Sequence, residues 1–366
     1  MAHESLANDD WLTLVERLGG ESRIEQTARQ HKAFVRPRAI GSAVDLLRLI
    51  LTYCLSGKGL RATAAWATSV DIADISNPGL LYRLRQSGPW LETLINHVLA
   101  TRAPSAAHGR LIRLIDGSTV PKAGGAGSRN NLWRLHCAFD LPSERFAAFE
   151  LSDETEGETL DRIAVTPGEI RIADRAYMQP ERMVAVLAQG ADLIIRAGWR
   201  SVRWLDGDGA ALDIIAVLAD AGQVGRLDRP VKIAPKAGQP FAMRLVAIRK
   251  PAEAAAAARE TARREAQRGG HKLSPQTLIA AEWVILVTSL SEPEFSADDS
   301  LALYRLRWRI ELAFKRLKSI VGLQGPPGKD ERSAKPFILA HLLAILLLEP
   351  LVDAFEVSPR SARRAA

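Results

Sequence analysis

Residues 111–120 read LIRLIDGSTV, an apolar-rich strand pattern that runs into one isolated acid, Asp116. Moving outward, LWRLHCAFDL (132–141) and RFAAFELSDE (145–154) carry the same strand character, and the Gly-rich turn PKAGGAGSRNN (121–131) separates the first two. Three consecutive strands of this kind predict an antiparallel meander. A short helical piece is expected near 156–164. GEIRIAD (168–174) then reads as a buried strand ending in a second isolated acid, Asp174, and MQPERMVAVLAQG (178–190) as a helix that begins at its proline. DLIIRA (192–197) is another strand. Strands interleaved with helices after an opening meander predict a mixed α/β sheet.

On the N-terminal side the period is helical, with helices expected near 8–18, 21–32, 42–56, 60–68 and 90–101. Residues 57–88 read as a helix, a connection and a second helix bearing Arg83 and Arg85, compatible with a helix-turn-helix and equally with a small bundle whose arginines are solvated. On the C-terminal side, residues 199–281 break the rhythm. WRSVRWLDGDGAALD, RPVKIAP and QPFAMRLVAIRK look like short β pieces, followed by the charged, Ala-rich helix PAEAAAAARETARREAQRGG. Because the chain then returns to a buried strand, AEWVILVTSL (281–290), the interval reads as an inserted β-rich module. One amphipathic helix is expected over DDSLALYRLRWRIELAFKRLKSIVGL (298–323), with Leu303, Leu306, Ile310, Phe314, Leu317 and Val321 as its apolar face. The last helix includes FILAHLLAILLLEPLV (337–352), which is short for a membrane span and is interrupted by His341, Glu349 and Pro350. A buried helix is the better reading.

The 366 residues exceed what one growing core holds, so several domains are expected. A content of 47% hydrophobic and 25% charged residues excludes a disordered or membrane protein. Lys and Arg outnumber Asp and Glu by 49 to 42, a formal charge of +7 that favours polyanionic partners. Cys54 and Cys137 lie far apart in apolar stretches and read as buried thiols of a reducing cytosol. The polar, acidic N-terminus is not a signal peptide.

Acids at the ends of apolar strands are costly unless they serve a site or cap a turn. Either one alone reads first as an Asx-turn residue, and two in one core weaken that reading. In YRLRWRIELAFKRLK (304–318), Tyr304, Arg307, Glu311 and Lys318 share one side of the expected helix, so that a third carboxylate is embedded among cations. For an anonymous helix, the same stripe would read as ordinary ion pairs. Converging carboxylates from separate elements are what two-metal phosphoryl transfer needs. Ser118 and Thr119 have no nucleophile elbow around them and read as turn residues. His136 reads as a satisfied core histidine. Arg175 and Tyr177, following the second acid, suit DNA contact or capping and packing.

Tyr304, two residues, Arg307, three residues, Glu311, six residues, Lys318: this pattern resembles the signature of the insertion-sequence-four family of bacterial DDE transposases. IDGST resembles that family's first-acid motif and IADRAY its second, and the stretch before Glu311 resembles its inserted domain. The likeness covers roughly residues 40–350. It implies an RNase H-like mixed-sheet catalytic core (106–198 and 282–355) interrupted by a β-rich insertion (199–281), with an all-helical N-terminal DNA-binding domain (1–105) and a basic tail (356–366). It implies two Mg²⁺ ions, replaceable by Mn²⁺, on Asp116, Asp174 and Glu311. Tyr304, Arg307 and Lys318 are implied as contacts to terminal phosphates, with Lys315 as a weaker addition. The implied reaction is cleavage and strand transfer at the terminal inverted repeats of an insertion sequence, by a homodimer acting on double-stranded DNA in the bacterial cytoplasm. In relatives that excise through a DNA hairpin, a tryptophan at the place of Trp283 stacks on a flipped base; the alternative is that Trp283 is core. The rival functions are a silent, domesticated DNA-binding protein, disfavoured by the intact acids, and a host Mg²⁺ nuclease, disfavoured by the N-terminal module and the insertion.

Overall fold

The computed structural model describes residues 2–101, 109–122, 132–153, 156–320, 326–327 and 330–356. Most of the Gly-rich turn at 121–131 and nearly all of the basic tail at 356–366 lie outside them. Six helices come first: α1 (Ala2–Arg17), α2 (Gly20–Gln30), α3 (Ala43–Leu55), α4 (Leu60–Ser69), α5 (Asn77–Gln86) and α6 (Gly88–Ala100). Their starts follow local chemistry. Ser42 and Ser76 accept from the Asp45 and Gly79 amides as N-caps, and Pro78 and Pro89 sit in first turns, where a missing N–H costs nothing.

The sheet opens with β1 (Ile112–Pro121), β2 (Leu132–Asp140) and β3 (Arg145–Asp153), paired antiparallel as the meander predicts. Next come β4 (Ile170–Ala173), a single 3-10 turn at Arg175–Tyr177, α7 (Pro180–Ala188) and β5 (Asp192–Arg196). Strand β4 lies parallel to β1 on one side and to β5 on the other. The order β3-β2-β1-β4-β5, with only β2 and its neighbours antiparallel, is an RNase H-like core.

The interval 199–281 contains β6 (Arg203–Leu205), α8 (Ile214–Asp220), β7 (Arg226–Ala234), β8 (Phe241–Arg249), α9 (Ala252–Arg268) and α10 (Pro275–Ala281). Its strands extend the core sheet. Strand β9 (Trp283–Thr288) pairs with β5 on one edge and β8 on the other, so nine described strands run β3-β2-β1-β4-β5-β9-β8-β7-β6. Helices α8 and α10 were not apparent from the alternating stretches around them.

Two further expectations are corrected. Residues 156–164 form turns, not a helix. Here the backbone carbonyls of Leu160, Ile163 and Ala164 accept from the buried Arg171 guanidinium, which replaces helical pairing. The amphipathic stretch 298–323 divides into α11 (Ala297–Arg305) and α12 (Trp308–Ile320). Between them, i→i+3 bonds from Leu306 N to Leu303 O and from Arg307 N to Tyr304 O tighten the chain, both at 3.0 Å. The break lets α11 pack on β5 and β8 while α12 packs on β1.

Each face of the sheet carries its own core. One core joins Ile112, Leu114, Ile170 and Ile172 to the N-terminal helices, α12 and the last helix, α13 (Glu331–Glu356). The other joins Ile115, Ala173 and Ile195 to α7 and α8. Helix α13 lies against α3, α5 and α6 with Ile338, Leu342 and Leu346 buried, the buried helix the sequence predicts. Among the described residues no helix is long and apolar enough to cross a membrane.

Candidate active site

Register brings the first two acids together. The last rung of the parallel β1–β4 ladder is Ile115 opposite Ala173, so Asp116 and Asp174 are each the next residue along adjacent strands. Strand alternation puts both on the side of Leu114 and Ile172, the face α12 covers. Asp116 Oδ1 accepts from the Gly117 amide at 2.8 Å, and Asp174 Oδ1 caps the 3-10 turn through the Ala176 amide at 2.7 Å. Burial pushes the Asp116 carboxyl up to about 6, against the Gly117 amide and Arg307, while Asp174 and Glu158 push the same way as burial. Such a crowd of negative charge favours a cation.

Glu311 stands in the first turn of α12 with its side chain half exposed, and it joins the others through Arg307. That guanidinium lies 2.6 Å from Glu311 Oε1 and 3.7 Å from Asp116 Oδ2. Among the described residues no three His, Cys, Asp or Glu side chains are grouped closely enough to hold a metal ion. The donor set nevertheless fits a hard divalent ion: it is all carboxylate, two members are adjacent on neighbouring strands, and a side-chain cation already bridges the first acid to the third.

The other predicted residues divide. Tyr304 is buried at the end of α11, and Lys315 and Lys318 are exposed on α12 beyond Glu311. Arg175 is exposed, and its side chain lies where a Cβ on Gly198 would stand, 2.9 Å from Arg175 Cδ. Trp283 is 3% exposed and belongs to the core, yet it also lines a cavity of about 500 Å³ beside Asp174. Arg175, Arg196, Lys250, Trp199, Tyr304 and Arg307 line the same cavity. Arg196, Lys250 and Glu158 escape a sequence reading because each follows or leaves a strand with no pattern to mark it. His136 is a core residue, its Nε2 2.8 Å from Ser152 Oγ. Arg83 and Arg85 are partly buried: Arg83 donates to Ala33 O, and Arg85 lies 2.6 Å from Asp330, ahead of α13.

An RNase H-like sheet with two aspartates adjacent on neighbouring strands and a glutamate on a covering helix is the arrangement that a transposase of the DDE class would present. The chain belongs to the DDE transposase family: the family's transposase DDE domain matches residues 107–347. It is similar to a protein named as transposase InsL for insertion sequence element IS186A of Escherichia coli strain K12, with 38% identity over 364 residues, 97% of this chain and 98% of the relative. The transposase for insertion sequence element IS421 of Escherichia coli is also 38% identical, over 365 residues, with the same coverage.

Proposed function

We propose that the protein binds the terminal inverted repeats of an insertion sequence and cleaves and joins DNA there, using two Mg²⁺ ions for which Mn²⁺ substitutes. The observation that carries this reading is the in-register adjacency of Asp116 and Asp174, with Glu311 tied to Asp116 through Arg307. Asp116, Asp174 and Glu311 would hold the ions, which when bound activate the attacking hydroxyl and stabilise the leaving oxygen of an in-line displacement. The protein's own share is binding and orientation. Arg307, freed from its carboxylates, would turn to a phosphate oxygen beside the cleaved bond, with Tyr304 packed next to it. Lys315 and Lys318 extend that contact along the backbone, as surface cations do on nucleic acids.

The cavity beside Asp174 suits a strand end: Arg175, Arg196 and Lys250 offer charge to phosphate, and Trp199, Trp283 and Tyr304 offer aromatic surface to an unstacked base. Trp283→Ala on a pre-nicked terminal duplex should lose hairpin formation while nicking persists; normal hairpins would leave Trp283 a core residue only. A homodimer pairing two double-stranded ends in the bacterial cytoplasm, at the nucleoid, completes the proposal, with residues 1–105 as its DNA-binding portion and 199–281 as an insertion within the core.

The test uses the duplex that flanks the gene, where short inverted repeats bracketed by a direct duplication are expected. The full chain should nick that duplex at the repeat boundary in Mg²⁺ or Mn²⁺ and fall silent in EDTA. Equal nicking in EDTA, or binding with no metal-dependent nicking, would overturn the reading, the latter in favour of a DNA-binding protein without catalysis.

A further inference from the structure

Helix α2 ends in a left-handed residue, Lys32 (φ 57°), and the Ala33 amide donates back to Ala28 O at 2.9 Å, so the chain leaves the helix in one fixed direction. Phe34 and Ile40 are then buried, 1% and 2% exposed, while the five residues between them, 35–39, all stand in solvent. Both ends of this loop are pinned to one pair of helices. Arg83 Nη1 of α5 donates to Ala33 O at 3.3 Å. The connection from α4 to α5 holds the far end through an Ile40–Ala73 bridge and through the Asp74 amide, 3.0 Å from Ala39 O.

The exposed residues read Val-Arg-Pro-Arg-Ala. Pro37 fixes its own φ and keeps Arg36 extended, so two guanidiniums are displayed on a loop that has little freedom left to lose. Among the described residues, neither Arg36 nor Arg38 has an ion pair or a side-chain hydrogen bond. Val35 beside them is an uncovered apolar side chain, 57% exposed. Solvated surface arginines need no such frame. A rigid, slender, doubly cationic loop with apolar surface at its base suits a groove too narrow for a helix. The minor groove of B-form DNA, about 6 Å wide, is such a groove, and its negative potential draws arginine. The neighbouring helix is open to the adjacent major groove: Leu80 and Leu84 of α5 are buried, while Pro78, Tyr82 and Gln86 are exposed at four-residue spacing, Tyr82 by 60%.

We propose that Arg36 and Arg38 form an arm that enters the minor groove of double-stranded DNA beside α5 and reads the shape of that groove in the terminal duplex. The inference rests on the reading that the protein binds terminal inverted repeats, and it assigns part of that recognition to two residues. Arginine suits the role better than lysine, because its guanidinium is planar and more weakly hydrated and enters a narrow groove more readily.

The experiment measures binding of the full-length protein in EDTA, where no strand is cut, to the terminal duplex and to a shuffled duplex of the same composition, by fluorescence anisotropy over a range of salt. Dimethyl sulfate protection of the terminal duplex reads both grooves, adenine N3 in the minor and guanine N7 in the major. Wild type should prefer the terminal duplex and protect adenine N3. Arg36→Lys combined with Arg38→Lys should keep the melting temperature and the affinity for the shuffled duplex, yet bind the terminal duplex about tenfold more weakly and lose the adenine protection. Arg36→Ala combined with Arg38→Ala should weaken the terminal duplex more than the shuffled one and lower the salt slope as well. A lysine variant with wild-type affinity and intact adenine protection, or an alanine variant that weakens both duplexes equally, marks the arginines as phosphate contacts only and overturns the inference. An alanine variant that binds like wild type overturns it too, and if wild type still prefers the terminal duplex, the terminal-repeat reading stands. A wild type without that preference defeats the terminal-repeat reading itself, and the arm with it.

Discussion

His136 lies in β2 opposite Gly117, one residue from the first acid's rung, and would tempt any search for a metal ligand. Its surroundings show why it is not one. Its imidazole meets Ser152 on β3, and burial, followed by Arg162 and Arg134, pulls its pKa down to about 4. The consequence for stability has a definite sign. Because the folded protein holds His136 neutral below the ordinary pKa of 6.5, its contribution is present above about 6.5 and is lost as the pH falls toward 4. Denaturant unfolding of wild type and His136→Gln at pH 7 and pH 4.5 should therefore show a smaller acid-side loss in the variant; parallel losses would mean that His136 protonates freely in the fold. At this scale the aspartates were legible because each follows an apolar run, although Asp116, expected to end its strand, lies in the middle of β1, which continues to Pro121 along β2. The link from Arg307 to Asp116 was not, because an i,i+4 neighbour such as Glu311 can be read from spacing and a cross-element partner cannot.

The connection from β3 to β4 and the break between α11 and α12 are the elements least visible in the sequence. Both depend on partners distant in the chain. Arg171 alternates with Ile170 and Ile172 as a solvent-facing strand residue would, yet it is fully buried, paired with Glu169 at 2.5 Å, and bonded to carbonyls eleven, eight and seven residues earlier. Removing one member of a buried pair strands the other, at a cost of about 3–5 kcal/mol. Arg171→Met should lower the stability measured by urea unfolding by that amount; a change within about 0.5 kcal/mol, ordinary for a surface site, would show that the clamp is dispensable. The helix break follows the same logic. A periodic apolar stripe predicts one straight helix, but the stripe serves β5 and β8 in its first half and β1 in its second. The resulting kink leaves Tyr304, Arg307 and Glu311 on consecutive pieces of chain, so the stripe on one helix expected for them is redistributed while their proximity is kept.

Over the whole molecule, the meander, the strand–helix alternation of a mixed sheet and the helical N-terminal third were legible as patterns of period, the parallel pairing of β4 with β1 and β5 was not, and the resemblance of three motifs supplied the fold's name. The strands of 199–281 were recognised as β pieces, but not as continuations of the core sheet, because edge pairing between β8 and β9 leaves no periodic mark. One apolar core runs from Val15 in α1 to Leu347 in α13, so the N-terminal helices and the catalytic sheet share their packing. That Asp116, Asp174 and Glu311 hold the metal ions is the central claim of the proposal. Asp116→Ala, Asp174→Ala and Glu311→Ala, each assayed for Mg²⁺-dependent nicking and for binding of the terminal duplex, test that claim most directly. The account predicts that all three bind the duplex at close to wild-type affinity, since phosphate contacts rest on other residues, and that none nicks it. Near wild-type nicking by any one of them would contradict its place in the catalytic centre.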